Sequence, residues 1–280
     1  MMKTKKSKAA TIVIFLIVLA GAVTMIFPFL WMLSTSLKDT KFVYQFPPQW
    51  IPNPVDWHNF VEIWEVVPLG RGLLNSSIVT GCVILFGTIS SSMAAFAFAK
   101  LNFPQKNIFF IALLSTMMIP FVVILIPQFV MFSKIHWIDT LLPLIVPGML
   151  GNVSMIFFLR QYITGLPTEL MDAAKIDGCG YFRIYSRIFL PLSRPAIVAN
   201  IILIFMATWN DYLGPLVFTN SASRSTVQIV IASLSAYYAE QTDFPIVMAA
   251  SLVAILPVLI LFITCQKHFV ESFALSGIKG

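Results

Sequence analysis

Between Ala9 and Leu37 the chain carries no charged residue. A run of that length exceeds the roughly 20 apolar residues a helix needs to cross a hydrocarbon layer. Lys3, Lys5, Lys6 and Lys8 stand just before it, and Ala20-Gly21-Ala22 imitates a signal-peptidase site. Because the apolar character continues through Val23 to Leu33, the expectation is a retained first span over about 11–33. Similar runs recur at about 73–98, 108–132, 140–159, 195–218 and 244–266. In lipid every backbone polar group must find a partner within its own segment or a closed barrel, and runs of this length do so as helices. The fold predicted is all-α and polytopic, with six transmembrane helices. The membrane domain covers 11–267, a cytoplasmic N-terminus covers 1–10 and a cytoplasmic tail covers 268–280.

Composition agrees: 58% of residues are hydrophobic and only 11% charged, against roughly 25% charged in soluble domains. The net charge of +6 does not point to nucleic acid, because Lys and Arg gather in the short intervals between apolar runs and not on one face. Their distribution gives an orientation instead. With the N-terminus inside, 13 of the 18 Lys and Arg fall on the cytoplasmic side, as the positive-inside rule requires. The chain is thus expected in the cytoplasmic (inner) membrane, multi-pass, with both termini and the interval 160–194 facing the cytoplasm.

The intervals and spans have distinct characters. Residues 34–72 hold Pro47, Pro48, Pro52, Pro54 and Pro68 with Trp50, Trp57 and Trp64; proline at that density excludes a long helix, and the tryptophans suit the membrane interface. In the second span Ser91, Ala95 and Ala99 form a small-residue packing face. The third is interrupted by Pro120 and Pro127, and Arg160 ends the fourth. Residues 220–243 read as an outer loop. Cys82, Cys179 and Cys265 have no metal-type spacing and no close pairing, so no metal site and no disulfide frame is expected.

The longest polar interval of the second half runs from Gly165 to Pro191. Pro167 suits a first helical turn, Thr168 to Ile176 contains good helix formers, and Gly178 and Gly180 break the run. Phe182, Tyr185, Ile188 and Phe189 then recur at helical spacing until Pro191 ends the pattern. Here Asp172-Ala173-Ala174, then Gly178 after three residues, then Ile188-Phe-Leu190-Pro191 after nine more, resembles the "EAA" loop of ABC importer permeases. Asp172 stands where that family usually has Glu, and Cys179-Gly180 replaces the more usual Ala-Ser pair.

The resemblance extends along the chain, which is similar to the carbohydrate-type ABC importer permeases with six spans, of the maltose-permease kind. It is carried by Asn75-Ser76-Ser77, Ala94-Ala-Phe-Ala-Phe-Ala-Lys100, Met117-Met-Ile-Pro120 with Ile126-Pro127, and Phe158-Leu-Arg-Gln161. Trp209-Asn-Asp211 with Pro215-Leu216, Met248-Ala-Ala-Ser251 with Pro257, and Gly277-Ile-Lys-Gly280 add to it. The resemblance implies that the loop is a coupling helix gripped by an ATPase subunit through Glu169, Asp172, Ala173, Ala174, Asp177, Gly178, Leu190 and Pro191. It also implies a second permease subunit, two ATPase subunits, an extracytoplasmic solute-binding protein and a carbohydrate cargo, with no cofactor on this chain and ATP-Mg acting on the partner ATPase. The chain itself contains no Gly-x-x-x-x-Gly-Lys-Ser/Thr phosphate loop, so energy for uphill transport has to enter from another subunit.

Asp211 is the one acidic residue inside an expected span, and intramembrane ionisable groups are functional candidates by default. Counted from Pro195 at 1.5 Å per residue, it lies roughly 24 Å along, in the outer part of the membrane. Two readings stand there: an interfacial Asp bonded to neighbouring backbone or to the second permease, and cargo contact in the translocation pathway by Asn210, Asp211 or Tyr212. A gradient-driven secondary transporter titrating Asp211 is the rival class, but such proteins commonly show internal repeats, and none is visible. A membrane enzyme is weaker still, since His58, His136 and His268 lie far apart with no nucleophile near any of them.

Overall fold

Prolines and glycines decide where the long apolar runs remain single helices and where they break. The structure, a computed structural model, describes residues 8–240 and 243–277. The remaining residues of the expected N-terminus and tail, with Ile278-Lys279-Gly280, lie outside it. In chain order the helices are α1 Lys8–Ser36, α2 Asn59–Val66, α3 Leu69–Lys100, α4 Lys106–Ser115, α5 Phe121–Lys134, α6 Leu142–Met149 and α7 Val153–Thr164. There follow α8 Glu169–Ile176, α9 Tyr181–Ile184, α10 Leu190–Leu192, α11 Arg194–Trp209, α12 Leu213–Phe218, α13 Val227–Glu240 and α14 Phe244–Gly277.

Among the described residues Thr11–Ser36, Leu69–Lys100, Leu142–Thr164 and Phe244–Gln266 are each long and apolar enough to cross a membrane. Two bent pairs, Lys106–Met118 with Phe121–Lys134 at 97° and Tyr181–Leu192 with Arg194–Trp209 at 77°, bring the number to six if each is one span. Pro120 causes the first bend: it holds Ile119 extended, at φ −85° and ψ 114°, because the residue before proline is excluded from helical geometry. Pro127, expected to interrupt the same span, is carried inside α5. Pro195 begins α11 beyond the second bend.

Four details differ from the sequence expectation. The stretch at 220–243, read as an outer loop, contains α13, whose Val227, Val230 and Leu234 are buried; the segment is too short for a span, yet apolar enough to pack. Arg160 does not end its helix, which runs on to Thr164; its guanidinium lies 4.0 Å from the centre of the Phe110 ring, where its charge is accommodated without a helix end. The run at 195–218 breaks after Trp209. Finally, α14 continues past residue 266 to Gly277, through much of the segment expected as tail.

The chain forms two compact units, Met1–Leu69 with Ile231–Ile255 and Gly70–Val230 with Leu256–Gly280. In the first, the proline-rich segment folds back on the end of α1. Trp50 meets Trp31 and Phe27 edge to face at 5.2 and 5.4 Å, and its carbonyl accepts the Ser34 hydroxyl at 2.7 Å. The Asn59 amide donates to the carbonyls of Ser36 and Lys38 at 3.0 and 2.9 Å. Lys38 is only 1% exposed, with its ammonium 4.5 Å over the Trp31 ring, and burial pulls its pKa below the usual lysine range.

The second unit is built on the small-residue face of α3. Ser91 and Ala95 are fully buried and Ala99 half-buried. The closest approach is at Gly87, where a Cβ would stand 2.6 Å from the carbonyl oxygen of Gly148 in α6. Just beyond, Ser90 donates to the Met149 carbonyl at 2.8 Å and the Ser91 hydroxyl accepts the Asn152 N–H at 2.8 Å. These bonds satisfy backbone groups released where Gly151, at φ +128°, separates α6 from α7, as lipid requires. At the other end, Asp139 accepts the backbone N–H groups of Asn220 and Ser221 at 2.9 and 2.8 Å and the Ser221 hydroxyl.

Gly87→Val should lower the stability of the purified protein by about 1–3 kcal/mol, the usual cost of overpacking. A thermal melt unchanged from the parent would contradict the crossing. The hydrogen bonds from Ser221 and Asn220 hold the Asp139 carboxyl below its usual range. Its contribution is therefore complete above the unfolded pKa of about 3.9 and lost as pH falls through the lower folded value. Asp139→Asn should speed amide exchange at Asn220 and Ser221 at pH 7 and remove that acid-dependent step; exchange identical to the parent would show that the clamp does not form.

Candidate functional site

Pro167 and Thr168 start α8 and Gly178 stops it. Glu169 and Asp172 occupy its first turn and Lys175 its last, each sign placed where the helix dipole favours it. At the C-terminus the Gly178 N–H donates to the Lys175 carbonyl and the Cys179 N–H to the Ala174 carbonyl, both at 2.9 Å. This pair of bonds is a Schellman ending, and it needs a left-handed residue. Gly178 provides it at φ +76°.

The helix has two unlike faces. Met171 and Ala174 are buried in the core shared by α3, α7 and α9, with Leu159, Ile163 and Ile184. Glu169, Asp172, Ala173, Asp177 and Gly178 are exposed, and Ile176 is 87% exposed. Tyr181 and Phe182 are exposed too, beside a cleft of about 250 Å³ lined also by Met93, Ala97 and Leu101. Apolar side chains bared next to a charged helix mark a surface that meets another protein or lipid.

Behind the helix the chain is fastened to α3. The Lys100 ammonium donates to the Leu166 carbonyl at 2.6 Å, and the Ser92 and Tyr185 hydroxyls share a buried hydrogen bond of 2.8 Å. The Phe96 ring meets those of Tyr185 and Phe189 at 5.7 and 5.3 Å. Tyr185–Phe189 is one π-helical turn closed by the Leu190 N–H on the Tyr185 carbonyl. This corrects the expectation that Pro191 ends the pattern: the wider turn lets the chain continue through Pro191 to Leu192. Leu190 is half-buried and Pro191 exposed.

The structure thus gathers Glu169, Asp172, Ala173, Ala174, Asp177 and Gly178 on one short helix and its cap, and places Leu190 and Pro191 after the π turn. Ser92, Phe96 and Lys100 were not recognised from sequence as anchors; the only signal was a lysine closing an apolar run. Asn210, Asp211 and Tyr212 form a separate group at the break after α11. Asp211 accepts the Gly214 N–H at 3.1 Å, opening α12, while the Asn210 amide donates to the Met206 carbonyl at 2.9 Å and accepts from Gln228 at 3.3 Å. Tyr212 is exposed.

Comparison with known proteins gives this arrangement a family. Residues 76–273 match the model of the binding-protein-dependent transport system inner membrane component. The arabinooligosaccharides transport system permease protein AraQ of Halalkalibacterium halodurans is 35% identical over 82% of this chain and 81% of its own length. The sn-glycerol-3-phosphate transport system permease protein UgpE of Yersinia pestis is 30% identical over 91% of this chain and 93% of its own. A chain of the crystal structure of a bacterial ABC transporter importing the acidic polysaccharide alginate shares the fold, at TM-score 0.82 and 19% identity over 96% of this chain and 99% of that one. The chain therefore belongs to the binding-protein-dependent inner membrane components: it is a multi-pass permease subunit of an ABC importer, a family that works with an ATPase and a solute-binding protein.

Proposed function

We propose that this subunit carries a sugar or oligosaccharide inward, paired with a second permease and driven by two ATPase subunits that bind ATP-Mg. The solute-binding protein delivers the cargo from outside, and both termini and 160–194 face the cytoplasm. The ATPase grips α8 through Glu169, Asp172, Ala173, Asp177 and Gly178, while Ala174 seats the helix on its own subunit and Leu190 and Pro191 carry the motion into α11. The observation that carries this reading is the division of α8 into a face buried in the core shared by α3, α7 and α9 and a face that no described residue covers. ATP-driven closure of the motor moves α8; α3 moves with it because hydrogen bonds and packed rings tie it to the segments on either side of α8, and α11 follows through the chain after α10. The bends after Met118 and at Ser193 are the joints at which the two cavities alternate. For the cargo, the support is the arabinooligosaccharide relative and the balance of resemblance along the chain.

The Gly178 turn gives a graded test. A β-branched residue at positive φ costs more than Asn, which tolerates that region, and the left-handed penalty is about 1–2 kcal/mol. In proteoliposomes holding the assembled importer, Gly178→Val should reduce ATP-driven uptake at least tenfold and Gly178→Asn much less, with both inserted normally. Gly178→Arg should also abolish uptake. Equal uptake by all three variants would rule out a lever hinged at this turn.

A further inference from the structure

Around the last turn of α3 three cations gather with no acid paired to them. Lys100 closes α3, Lys106 opens α4 and Arg160 belongs to α7. The Lys106 ammonium donates to the Leu101 carbonyl at 2.8 Å and the Arg160 Nε to the Phe98 carbonyl at 3.4 Å, so both reach the turn on which Lys100 stands. We propose that this cluster and the apolar cleft beside it bind one anionic phospholipid of the cytoplasmic leaflet, with its phosphate on the cations and an acyl chain in the cleft. The inference rests on the orientation proposed above and adds a ligand that the transport reading does not use.

Three observations converge on it. The first is uncompensated charge. Lys100 is only 8% exposed, and Lys106 and Arg160 are half-buried. No ion pair among the described residues includes any of them. Glu169 is the acid whose charge Lys100 feels, while Lys106 is repelled by both Arg160 and Lys100. Each cation spends its hydrogen bond on a carbonyl, Lys100 on that of Leu166 at 2.6 Å, and an ammonium or guanidinium has donors left over after one such bond. Like charges held together away from full solvent repel strongly unless an anion joins them.

The second observation is continuity. Leu101, whose carbonyl Lys106 holds, also lines the cleft of about 250 Å³, which follows α3 back to Met93. That is about 12 Å at 1.5 Å per residue, along a helix long and apolar enough to cross a membrane. Phe96 and Ala97 continue the apolar wall. A soluble phosphate would satisfy the cations and leave this cleft empty, whereas a lipid fills both. The third is the opposite wall. Tyr181 and Phe182, 54% and 69% exposed, line the cleft from α9, and the Lys175 ammonium lies 5.4 Å over the Tyr181 ring. Aromatic rings with basic neighbours belong at the height of the headgroups, and basic pockets between spanning helices on the cytoplasmic side take anionic headgroups.

The test uses the assembled importer, with its ATPase, in phosphatidylcholine nanodiscs carrying a trace of phosphatidylglycerol with a photoreactive group in its acyl chain. After irradiation, peptide mass spectrometry should find the adduct on the segments 93–101 or 181–185. Added unlabelled phosphatidylglycerol should suppress it, and a phosphatidylcholine probe of the same design should label more weakly. Lys106→Gln should cut the yield roughly fivefold and Lys106→Arg should not, with the ATPase retained by both. Equal labelling by the two probes, or a yield unchanged in Lys106→Gln, overturns the site and leaves the transport reading standing. Adducts confined to the partner subunits make the cleft a protein interface and also overturn it. Loss of the adduct on adding inorganic phosphate shows a site for a free ion and overturns the lipid. An impermeant thiol reagent that labels Lys175→Cys above the parent from outside intact cells overturns the orientation and this inference together.

Discussion

A hydrogen bond deep in protein, between the hydroxyls of Ser92 and Tyr185, lies where the membrane part and the surface helix become one piece. The rest follows from having to fasten a polar segment to an apolar helix through partnered polar groups and packed rings. A buried hydroxyl left alone costs about 1–3 kcal/mol; two facing each other remove that cost and fix their helices in register. Phe96 adds ring contacts on one side, and Lys100 ties down the Leu166 carbonyl on the other. The fastening lies along one face of α3, so the segments on either side of α8 are held to that helix and do not form a loose loop.

The same economy governs the breaks. Lipid tolerates an interrupted helix only where side chains take over the freed backbone groups. At Gly151 the serines of α3 do so, and at Asn210 and Asp211 the residues cap their own neighbours. Asp211, the acid that stood out in the sequence, thus spends a carboxylate oxygen on the start of α12.

Legibility followed the range of the interactions. Long uncharged runs mark α1, α3 and α14, because lipid solubility is a sum over consecutive residues. The ends of α8 could be read from Pro167, Thr168 and Gly178, because caps are local. Features needing a distant partner could not: the clamp of Asp139 on Ser221 joins positions far apart in sequence, the packing of α13 depends on Gly72 making room for Val227 and Val230, and the π turn at Tyr185 answers to the rings of α3. Asn152 was the recoverable miss, since Asn before an apolar helical run is a cap signal.

The central claim is that another subunit's motor presses on the bare side of α8. Its most direct measurement is photo-crosslinking from a reactive residue introduced at Ala173, exposed on that side, in the assembled importer within native-like membranes. An adduct with the ATPase subunit, whose yield changes with ATP, is the predicted result. An adduct only with extracytoplasmic components, or none with the ATPase in an assembly active in transport, would contradict it.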